Sequence, residues 1–147
     1  MACVDKGFGL GKSGKLLYRI PEDLKNFRRL PLNHTIIYGR RTLETFPNQK
    51  PLDLRKNIIL SRTLKNLSGA EVVGSVEELF EVLNAAEENF VIGGGQIFNE
   101  LIAYAAEILL TVVDAEAQAD IFFPNVDEFT LTDKKTFDGF EFRRYTR

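Results

Sequence analysis

The feature that most constrains the fold of this 147-residue chain is a series of short, uninterrupted apolar runs, each closed by glycine or by polar residues. Runs of this kind are typical of strands that are covered on both faces of a sheet. Five of them come first along the chain, at residues 2–4, 35–38, 57–60, 70–73 and 89–92. A longer run over residues 107–113 and the alternating Phe140-Glu141-Phe142 predict two later strands, the last of them half exposed to solvent.

Helical periodicity separates these runs. The stretch from Pro21 to Leu30 places its apolar residues near one face and begins with proline, which suits the first position of a helix. Ser75 and Glu78 fit a capping box, a third helix begins near Gly95, and a short one begins at Thr42. The alternation predicts an α/β fold with a mostly parallel central sheet, flanking helices and an antiparallel C-terminal strand. The length predicts one domain over residues 1–147.

Charge and cysteine content exclude several classes of function. With 19 basic and 21 acidic residues the net charge is −2, so the chain as a whole attracts neither nucleic acid nor an anionic membrane. A single cysteine allows no internal disulfide and indicates a reducing compartment such as the cytoplasm. No signal-like start and no apolar run of about 18 residues is present, which predicts no membrane span. Cys3 and His34 could supply only two ligands, so we expect no zinc site.

A glycine-rich segment carries two motif matches. Residues 9–14 match the dinucleotide pattern G-x-G-x-x-G, and Gly11-Lys12-Ser13 resembles the end of a phosphate-binding P-loop. Both motifs need a helix that opens directly from the glycines, whereas here the first helix begins only at Pro21. We therefore interpret residues 7–14 as a mobile glycine-rich loop. Either an ordinary surface connection or a functional lid agrees with this composition.

Three strand ends carry groups that suit an anion. The first is Gly39-Arg40-Arg41-Thr42, the second is Ser61-Arg62, and the third is Gly93-Gly94-Gly95. Guanidinium groups and hydroxyls bind phosphate well, and glycines let a pyrophosphate approach the backbone. Each feature taken alone has an ordinary structural explanation. Because ligands bind at the carboxyl ends of strands in open α/β sheets, the three together predict a phosphorylated dinucleotide, NADP rather than NAD.

One carboxylate stands in an apolar setting. Asp23 comes four residues before Phe27 and therefore shares its face of the predicted helix. A carboxylate placed there could bind an amino-substituted ring through paired hydrogen bonds, or help to deliver a proton. Alternatively, it only stabilises the positive end of the helix. The residues alone leave both interpretations open.

Six segments of the chain are informative together, namely residues 4–11, 20–27, 38–44, 55–62, 91–98 and 120–124. In their order and spacing, these segments resemble the dihydrofolate reductase family. The resemblance implies reduction of 7,8-dihydrofolate to 5,6,7,8-tetrahydrofolate, with NADPH as cofactor, hydride transfer to the pterin ring and protonation of the adjacent ring nitrogen. It also implies a role in one-carbon metabolism, a monomer, and antifolates as inhibitors.

The same resemblance assigns roles to individual residues. Asp23 matches the acid that binds the pterin and promotes its protonation, and Thr111 matches its hydrogen-bond partner. Tyr18 stands where the family has a tryptophan that holds an ordered water, because Leu17-Tyr18 replaces the usual Pro-Trp. The implied substrate contacts are Met1 and Ala2 through their backbone, Leu24, Phe27 and Phe46 around the rings, and Arg55 at the glutamate α-carboxylate.

The implied cofactor contacts are more numerous. They are Cys3, Leu10, Gly11, Leu16, Gly39, Arg40, Arg41, Thr42, Ser61, Arg62, Gly94, Gly95, Gln96, Ile97 and Phe98, of which Phe98 replaces a frequent tyrosine. The resemblance further implies a cis peptide bond between Gly93 and Gly94 and a mobile loop over residues 10–16. Two alternatives stay open, namely a non-catalytic folate- or NADPH-binding homologue and a reductase of a related pterin or pyrimidine. A P-loop kinase, which rests on residues 11–13 alone, is disfavoured.

Overall fold

A computed structural model describes residues 1–13, 15–16 and 18–147, with residues 15 and 16 described by their backbone only. Two residues lie outside the described part of the chain, Gly14 and Leu17. Of the pair Leu17-Tyr18 that replaces the usual Pro-Trp, only Tyr18 is therefore described. The chain divides into two compact units, Met1–Phe27 with Ile102–Arg147 and Arg28–Leu101. A division of this kind occurs within one domain as well as between two. The single domain over residues 1–147 therefore stays a prediction.

Eleven strands and four α-helices are found in the described part of the chain. The strands are β1 (Ala2–Val4), β2 (Gly9–Lys12), β3 (Lys15–Leu16), β4 (Thr35–Gly39), β5 (Lys56–Leu60), β6 (Glu71–Val73), β7 (Asn89–Gly93), β8 (Glu107–Val113), β9 (Ile121–Phe122), β10 (Thr130–Phe137) and β11 (Phe140–Thr146). The helices are α1 (Pro21–Arg29), α2 (Arg40–Leu43), α3 (Val76–Val82) and α4 (Gly95–Leu101), and short 3₁₀ turns lie at Pro47–Gln49 and Ile102–Tyr104. Among the described residues, every helix is too short or too polar to cross a lipid bilayer.

The sheets agree with the predicted fold class. In the first unit, one sheet has the order β1-β8-β11-β10 and a smaller one has the order β3-β2-β9. Strand β1 runs parallel to β8, whereas β11 runs antiparallel to both β8 and β10. In the second unit, the sheet β6-β5-β4-β7 is parallel throughout. The α/β fold with antiparallel C-terminal strands is thus confirmed.

The sheet of the second unit is covered on both faces, as its continuous apolar runs predict. Alternate residues of β4 and β5 enter two separate clusters of buried side chains. One cluster contains Ile37, Ile58, Leu60, Val73, Leu79, Ile97 and Leu101. The other contains Ile36, Tyr38, Leu43 and Ile59. Because side chains alternate between the faces of a strand, strands covered on both faces read as unbroken apolar runs.

Local signals located most helix ends. Helix α1 begins at Pro21, and the Oγ of Ser75 accepts a hydrogen bond of 3.1 Å from the Glu78 amide at the start of α3. The prediction that a short helix begins at Thr42 is wrong by two residues, since α2 begins at Arg40. Gly39 is extended and makes no side-chain cap, so the helix opens directly from the end of β4.

The interpretation of residues 7–14 as a loop is wrong for residues 9–12, which form β2 and pair antiparallel with β3 and β9. Gly9 and Gly11 lie in this strand and do not open a helix, which agrees with the rejection of both phosphate motifs. Strand β10 was not predicted because its residues are almost all exposed and form no apolar run. A bulge interrupts its pairing with β11 between Leu131 and Asp133.

We predict that Gly9→Ala destabilises the protein, because the added Cβ would lie 2.6 Å from Ala119 Cβ and 3.0 Å from Asp5 Oδ2. Overpacking of this kind costs about 1–3 kcal/mol of the free energy of unfolding. Gly7→Ala is the matched control, since its Cβ would come no closer than 3.4 Å to any neighbour. Urea unfolding of both variants measures the difference. Equal free energies of unfolding would contradict the prediction.

Candidate active site

The Asp23 carboxylate is held within the first unit by a hydroxyl of the sheet. Asp23 lies in the first turn of α1, and its Oδ1 accepts a hydrogen bond of 2.6 Å from Thr111 Oγ1. Thr111 belongs to β8, is buried, and pairs in register with Cys3 of β1. The two residues are 88 positions apart in the sequence. The structure therefore brings together two residues that the resemblance assigned to one task.

Burial around Asp23 favours the neutral forms of three neighbouring ionisable groups, namely Asp23 itself, the Cys3 thiol and the Met1 amino group. Burial raises the pKa of Asp23, because a carboxylate loses solvation there. The hydrogen bond from Thr111 and the positive amino group of Met1 both lower that pKa, without cancelling the effect of burial. Burial, with help from the charge of Asp23, raises the pKa of the Cys3 thiol to about 12. Burial also lowers the pKa of the Met1 amino group to about 5, against the charge of Asp23.

These observations bear on the two interpretations of Asp23. A carboxylate that served only the helix end would do so from solvent, since the interaction with the helix dipole needs no burial. Burial of a carboxylate is costly unless hydrogen bonds offset it. Asp23 is half-buried and hydrogen-bonded to Thr111, which suits a group that binds N–H donors or holds a proton.

Tyr18 is half-buried in the same unit. Burial is the main cause that raises the pKa of Tyr18. Electrostatic interactions with Asp5 and Cys3 raise it further. Its strongest electrostatic neighbours are therefore Asp5 and Cys3, rather than Asp23. The catalytic role implied for Tyr18 stays a prediction.

Asp5 anchors the glycine-rich segment, and the sequence analysis missed it. Only 1% of Asp5 is exposed. Its Oδ1 accepts hydrogen bonds from the amides of Gly7 (3.0 Å) and Gly9 (2.8 Å), and its Oδ2 accepts one from Ala117 (3.0 Å). An acid directly after a buried strand and before glycines was the available signal, because such acids bind nearby backbone amides.

A second acid holds the far end of this segment. Asp120 Oδ2 accepts a hydrogen bond of 2.9 Å from the Ser13 amide, and the Asp120 amide donates to the Gly11 carbonyl (3.0 Å). Leu10 and Gly11, both predicted cofactor contacts, are buried between these anchors. The described part of the segment is therefore fixed at several points by hydrogen bonds.

The other predicted contacts of the first unit are partly accessible. Ala2 lies in β1, where it pairs in register with Leu110, and Met1 precedes it. Leu24 is 37% exposed and Phe27 is half-buried, and both belong to α1 together with Asp23. Apolar side chains thus share the helix that carries the acid.

In the second unit, the three predicted strand ends meet at one edge of the sheet. Gly39, at the end of β4, pairs with Leu60 at the end of β5. Tyr38 pairs with Gly93 at the end of β7. The segments that follow these residues carry the arginines, the hydroxyls and the glycine turn. Their common location is as predicted, although their roles are not thereby tested.

Hydrogen bonds organise the polar groups at this edge. The Nη1 of Arg40 donates to Thr63 Oγ1 (3.2 Å), which ties the segment after β4 to the segment after β5. The Oγ of Ser61 accepts from the amides of Thr63 (3.3 Å) and Leu64 (3.1 Å). Three guanidinium groups are exposed in these segments, those of Arg40, Arg41 and Arg62.

The glycine turn after β7 lies against Thr42. The Gly93–Gly94 peptide bond is cis, as the resemblance implied. Gly93 has φ +130°, and a Cβ there would lie 3.5 Å from Thr42 Oγ1. In the following helix Gln96 is exposed, Gly95 is partly exposed, and Ile97 and Phe98 are buried. The Thr42 hydroxyl, the glycine backbone and Gln96 are therefore the groups that this turn presents.

Two predicted substrate contacts also belong to the second unit. The guanidinium of Arg55 donates to the carbonyls of Asp53 (2.6 Å) and Arg28 (2.8 Å). Its Nε is buried and has no hydrogen-bond partner among the described residues. Phe46 meets the ring of Tyr38 edge-on at a centroid distance of 5.1 Å.

Comparison with known proteins identifies the family. A sequence model described as dihydrofolate reductase matches residues 1–146. The chain belongs to the dihydrofolate reductase family. It is 40% identical to the dihydrofolate reductase of Mycobacterium tuberculosis over 124 residues, which cover 81% of this chain and 74% of that protein. It is 36% identical to the Bacillus subtilis enzyme over 120 residues, covering 81% and 70%, and 35% identical to that of Haloferax volcanii over 149 residues, covering 94% and 77%.

Membership of the dihydrofolate reductase family makes this chain an oxidoreductase, and the family generally uses a nicotinamide cofactor. The resemblance drawn from the six sequence segments is thereby confirmed.

We predict that Asp23→Asn gains stability relative to the native protein as the pH rises. The raised pKa means that the folded state binds the Asp23 proton more tightly than the unfolded chain does, so ionisation of Asp23 weakens folding above its ordinary pKa of 3.8. Asparagine avoids this loss and can still accept the hydrogen bond from Thr111. Urea unfolding of both proteins at about pH 4 and about pH 7 measures the change in the difference.

The control is Asp133→Asn, because Asp133 is exposed on β10. Its effect on the free energy of unfolding is expected to stay nearly constant over the same pH range. If Asp23→Asn and Asp133→Asn show the same pH dependence, the Asp23 carboxylate is not buried in solution.

Proposed function

We propose that this protein is an NADPH-dependent dihydrofolate reductase. It reduces 7,8-dihydrofolate to 5,6,7,8-tetrahydrofolate by hydride transfer to the pterin ring, with protonation of the adjacent ring nitrogen. The observation that carries the proposal is the half-buried Asp23 carboxylate, hydrogen-bonded to Thr111, in a chain of the dihydrofolate reductase family. A substrate ring with amino and N–H groups offers the donors that such a carboxylate binds.

Asp23 orients the pterin ring and promotes protonation of its ring nitrogen. One carboxylate oxygen accepts a hydrogen bond from the Thr111 hydroxyl, and this bond fixes the plane of the carboxylate. The remaining lone pairs of the carboxylate can accept hydrogen bonds from further donors. Because burial raises its pKa, Asp23 exchanges a proton closer to neutral pH than an exposed aspartate would. A negative charge beside the ring also stabilises the ring nitrogen as it becomes protonated. Leu24 and Phe27 on the same helix supply apolar contact.

The strand ends of the second unit fit the phosphates of the cofactor. Thr42, Ser61 and the exposed guanidinium groups supply donors at one edge, and a Cβ on Gly94 would reach 3.9 Å from Thr42 Oγ1. A side chain there would occupy space that the glycine leaves to a ligand close to the backbone. When bound, the cofactor supplies the hydride. The guanidinium of Arg62, beside Ser61, provides charge beyond what a pyrophosphate needs and so favours the 2′-phosphate of NADPH.

Arg55 binds the carboxylate of the substrate's glutamate in this proposal. Two of its donors are committed to the carbonyls of Asp53 and Arg28, which fixes the plane of the guanidinium. Each terminal nitrogen keeps a second N–H beyond these bonds, and the two remaining N–H groups would donate to the carboxylate oxygens. Phe46 lies in the same unit and would contact the ring system between the pterin and the glutamate.

The broader properties follow the same proposal. The chain is one domain, supported by a family match that spans residues 1–146. It acts in the cytoplasm, supported by its single cysteine, and without nucleic-acid or membrane partners, supported by a net charge of −2. A monomer is what the family resemblance implies. Antifolates that mimic the pterin would compete for Asp23.

The direct test follows NADPH absorbance after dihydrofolate is added to the purified protein. We predict that Asp23→Asn lowers kcat/KM by about 100-fold or more, since loss of an acid–base group costs this much. Asp133→Asn, the exposed control on β10, is expected to leave activity unchanged. Binding of both ligands without oxidation would instead identify a non-catalytic homologue, and turnover only of another pterin or pyrimidine would identify a related reductase.

Cofactor choice provides a separate test. We predict that Arg62→Ala raises the KM for NADPH by about 10-fold and leaves the KM for NADH nearly unchanged, because a charge-assisted contact to the 2′-phosphate is lost. Arg144→Ala, an exposed arginine of β11, is the matched control for the loss of one positive charge. An equal effect of Arg62→Ala on both cofactors would refute the 2′-phosphate assignment.

A further inference from the structure

A buried asparagine holds the backbone that carries Arg55. Asn57 lies in β5 and is 3% exposed. Its Nδ2 donates to the carbonyls of Leu52 (2.9 Å) and Arg55 (3.0 Å), and its Oδ1 accepts from the Leu52 amide (3.1 Å). The fourth bond comes from the Tyr38 hydroxyl, which donates to the same Oδ1 (2.8 Å). With two donors and two acceptor positions used, the full hydrogen-bonding capacity of this amide is satisfied.

Hydrogen bonds rather than regular structure hold this segment, and besides those of Asn57 the Asn33 amide donates to the Leu54 carbonyl (2.8 Å). Residues 52–55 come directly before β5 and belong to no helix or strand. Leu54 is 71% exposed and has φ +60°, an unfavourable backbone conformation for a residue with a side chain. Such a conformation persists only where surrounding contacts enforce it. The bonds of Asn57 at Leu52 and Arg55 bracket Leu54 and, together with the bond from Asn33, supply such contacts.

Tyr38 connects this clamp to the core. Its side chain is fully buried in the cluster with Ile36 and Ile59, and Leu52 packs against the same cluster. The ring of Tyr38 meets Phe46 edge-on, at 5.1 Å and 67°. One buried tyrosine therefore contacts Phe46 with its ring and Asn57 with its hydroxyl.

We propose that Asn57 and Tyr38 are positioning residues that set the affinity for substrates with a carboxylate-bearing tail. They act through the backbone of residues 52–55, which aims the guanidinium of Arg55, and they touch neither the reacting atoms nor the cofactor. This inference rests on the proposed function, in which Arg55 binds the glutamate carboxylate. A rigid guanidinium loses less freedom when it binds, so loosening its backbone weakens tail binding without impairing chemistry at the ring.

The test compares two substrates of the native chain and its variants. Dihydrofolate has the tail, whereas 6-methyl-7,8-dihydropterin has the reducible ring and no tail. With dihydrofolate we expect KM to rise about 10-fold in Asn57→Ala and about three-fold in Tyr38→Phe, with kcat changed less than about two-fold. With the tail-less dihydropterin, both variants are expected to match the native protein.

The matched control is Asn89→Ala. The Nδ2 of Asn89 donates to two loop carbonyls of the same unit, those of Asn84 (3.2 Å) and Glu87 (3.1 Å). Its loss removes comparable hydrogen bonds from a loop that carries no proposed substrate contact. The KM for dihydrofolate is expected to be unchanged in this variant.

The reference variant is Arg55→Ala, which separates failure of this inference from failure of the proposed function. If Arg55→Ala leaves the KM for dihydrofolate unchanged, Arg55 does not bind the tail and that part of the proposed function is wrong. If Arg55→Ala raises the KM while Asn57→Ala and Tyr38→Phe behave like Asn89→Ala, the positioning role is wrong. Equal increases in KM for both substrates would also overturn the positioning role, since they would indicate general damage to the fold rather than weaker binding of the tail.

Two further measurements complete the test. In the Arg55→Ala background, Asn57→Ala is expected to add no further increase in KM, because both changes act on one interaction. An additive increase would refute a path through Arg55. If Asn57→Ala does not fold, Tyr38→Phe decides the matter, since it keeps the ring against Phe46 and removes only the hydroxyl. A Tyr38→Phe variant with native KM for dihydrofolate would then refute the proposal.

Discussion

The hydrogen bond between Asp23 and Thr111 is the interaction on which the proposed chemistry depends. It joins the first turn of a helix to the middle of a buried strand, and so it holds a carboxylate in a half-buried position. Burial alone would leave such a group costly and poorly oriented. The threonine hydroxyl offsets part of that cost and fixes the direction of the carboxylate, while burial still raises the pKa of Asp23 above that of an exposed aspartate.

Patterns of local sequence located most of the fold. The apolar runs of β4, β5 and β7 predicted strands covered on both faces, and the parallel order of those strands explains why Arg40, Ser61 and Gly94 follow at one edge. Proline and the Ser75 cap located two helix starts because those signals act within one turn. The same locality explains the error at Thr42, where no side-chain cap marks the beginning of α2.

What the sequence could not show was contact between residues far apart. The hydrogen bonds from the Ala117 amide to Asp5 and from the Thr111 hydroxyl to Asp23 join positions 112 and 88 apart. Asn57 was predicted only as the first residue of a strand, but its side-chain amide is buried and supplies hydrogen bonds to the backbone of the preceding segment. Asp5 does the same for the glycines after β1. Side-chain oxygens and nitrogens thus shape the segments that lack regular structure of their own.

Strand β10 ends the four-stranded sheet of the first unit and turns one side away from β11. A strand in that position offers unpaired amides and carbonyls to any neighbouring molecule, which is a route to aggregation. Two features of β10 oppose such pairing, the bulge after Leu131 and the charged run Asp133-Lys134-Lys135. Edge-to-edge pairing is favoured by a regular, flat strand with little charge. The exposed polar composition that hid this strand from sequence patterns therefore also disfavours pairing of this sheet edge with another chain.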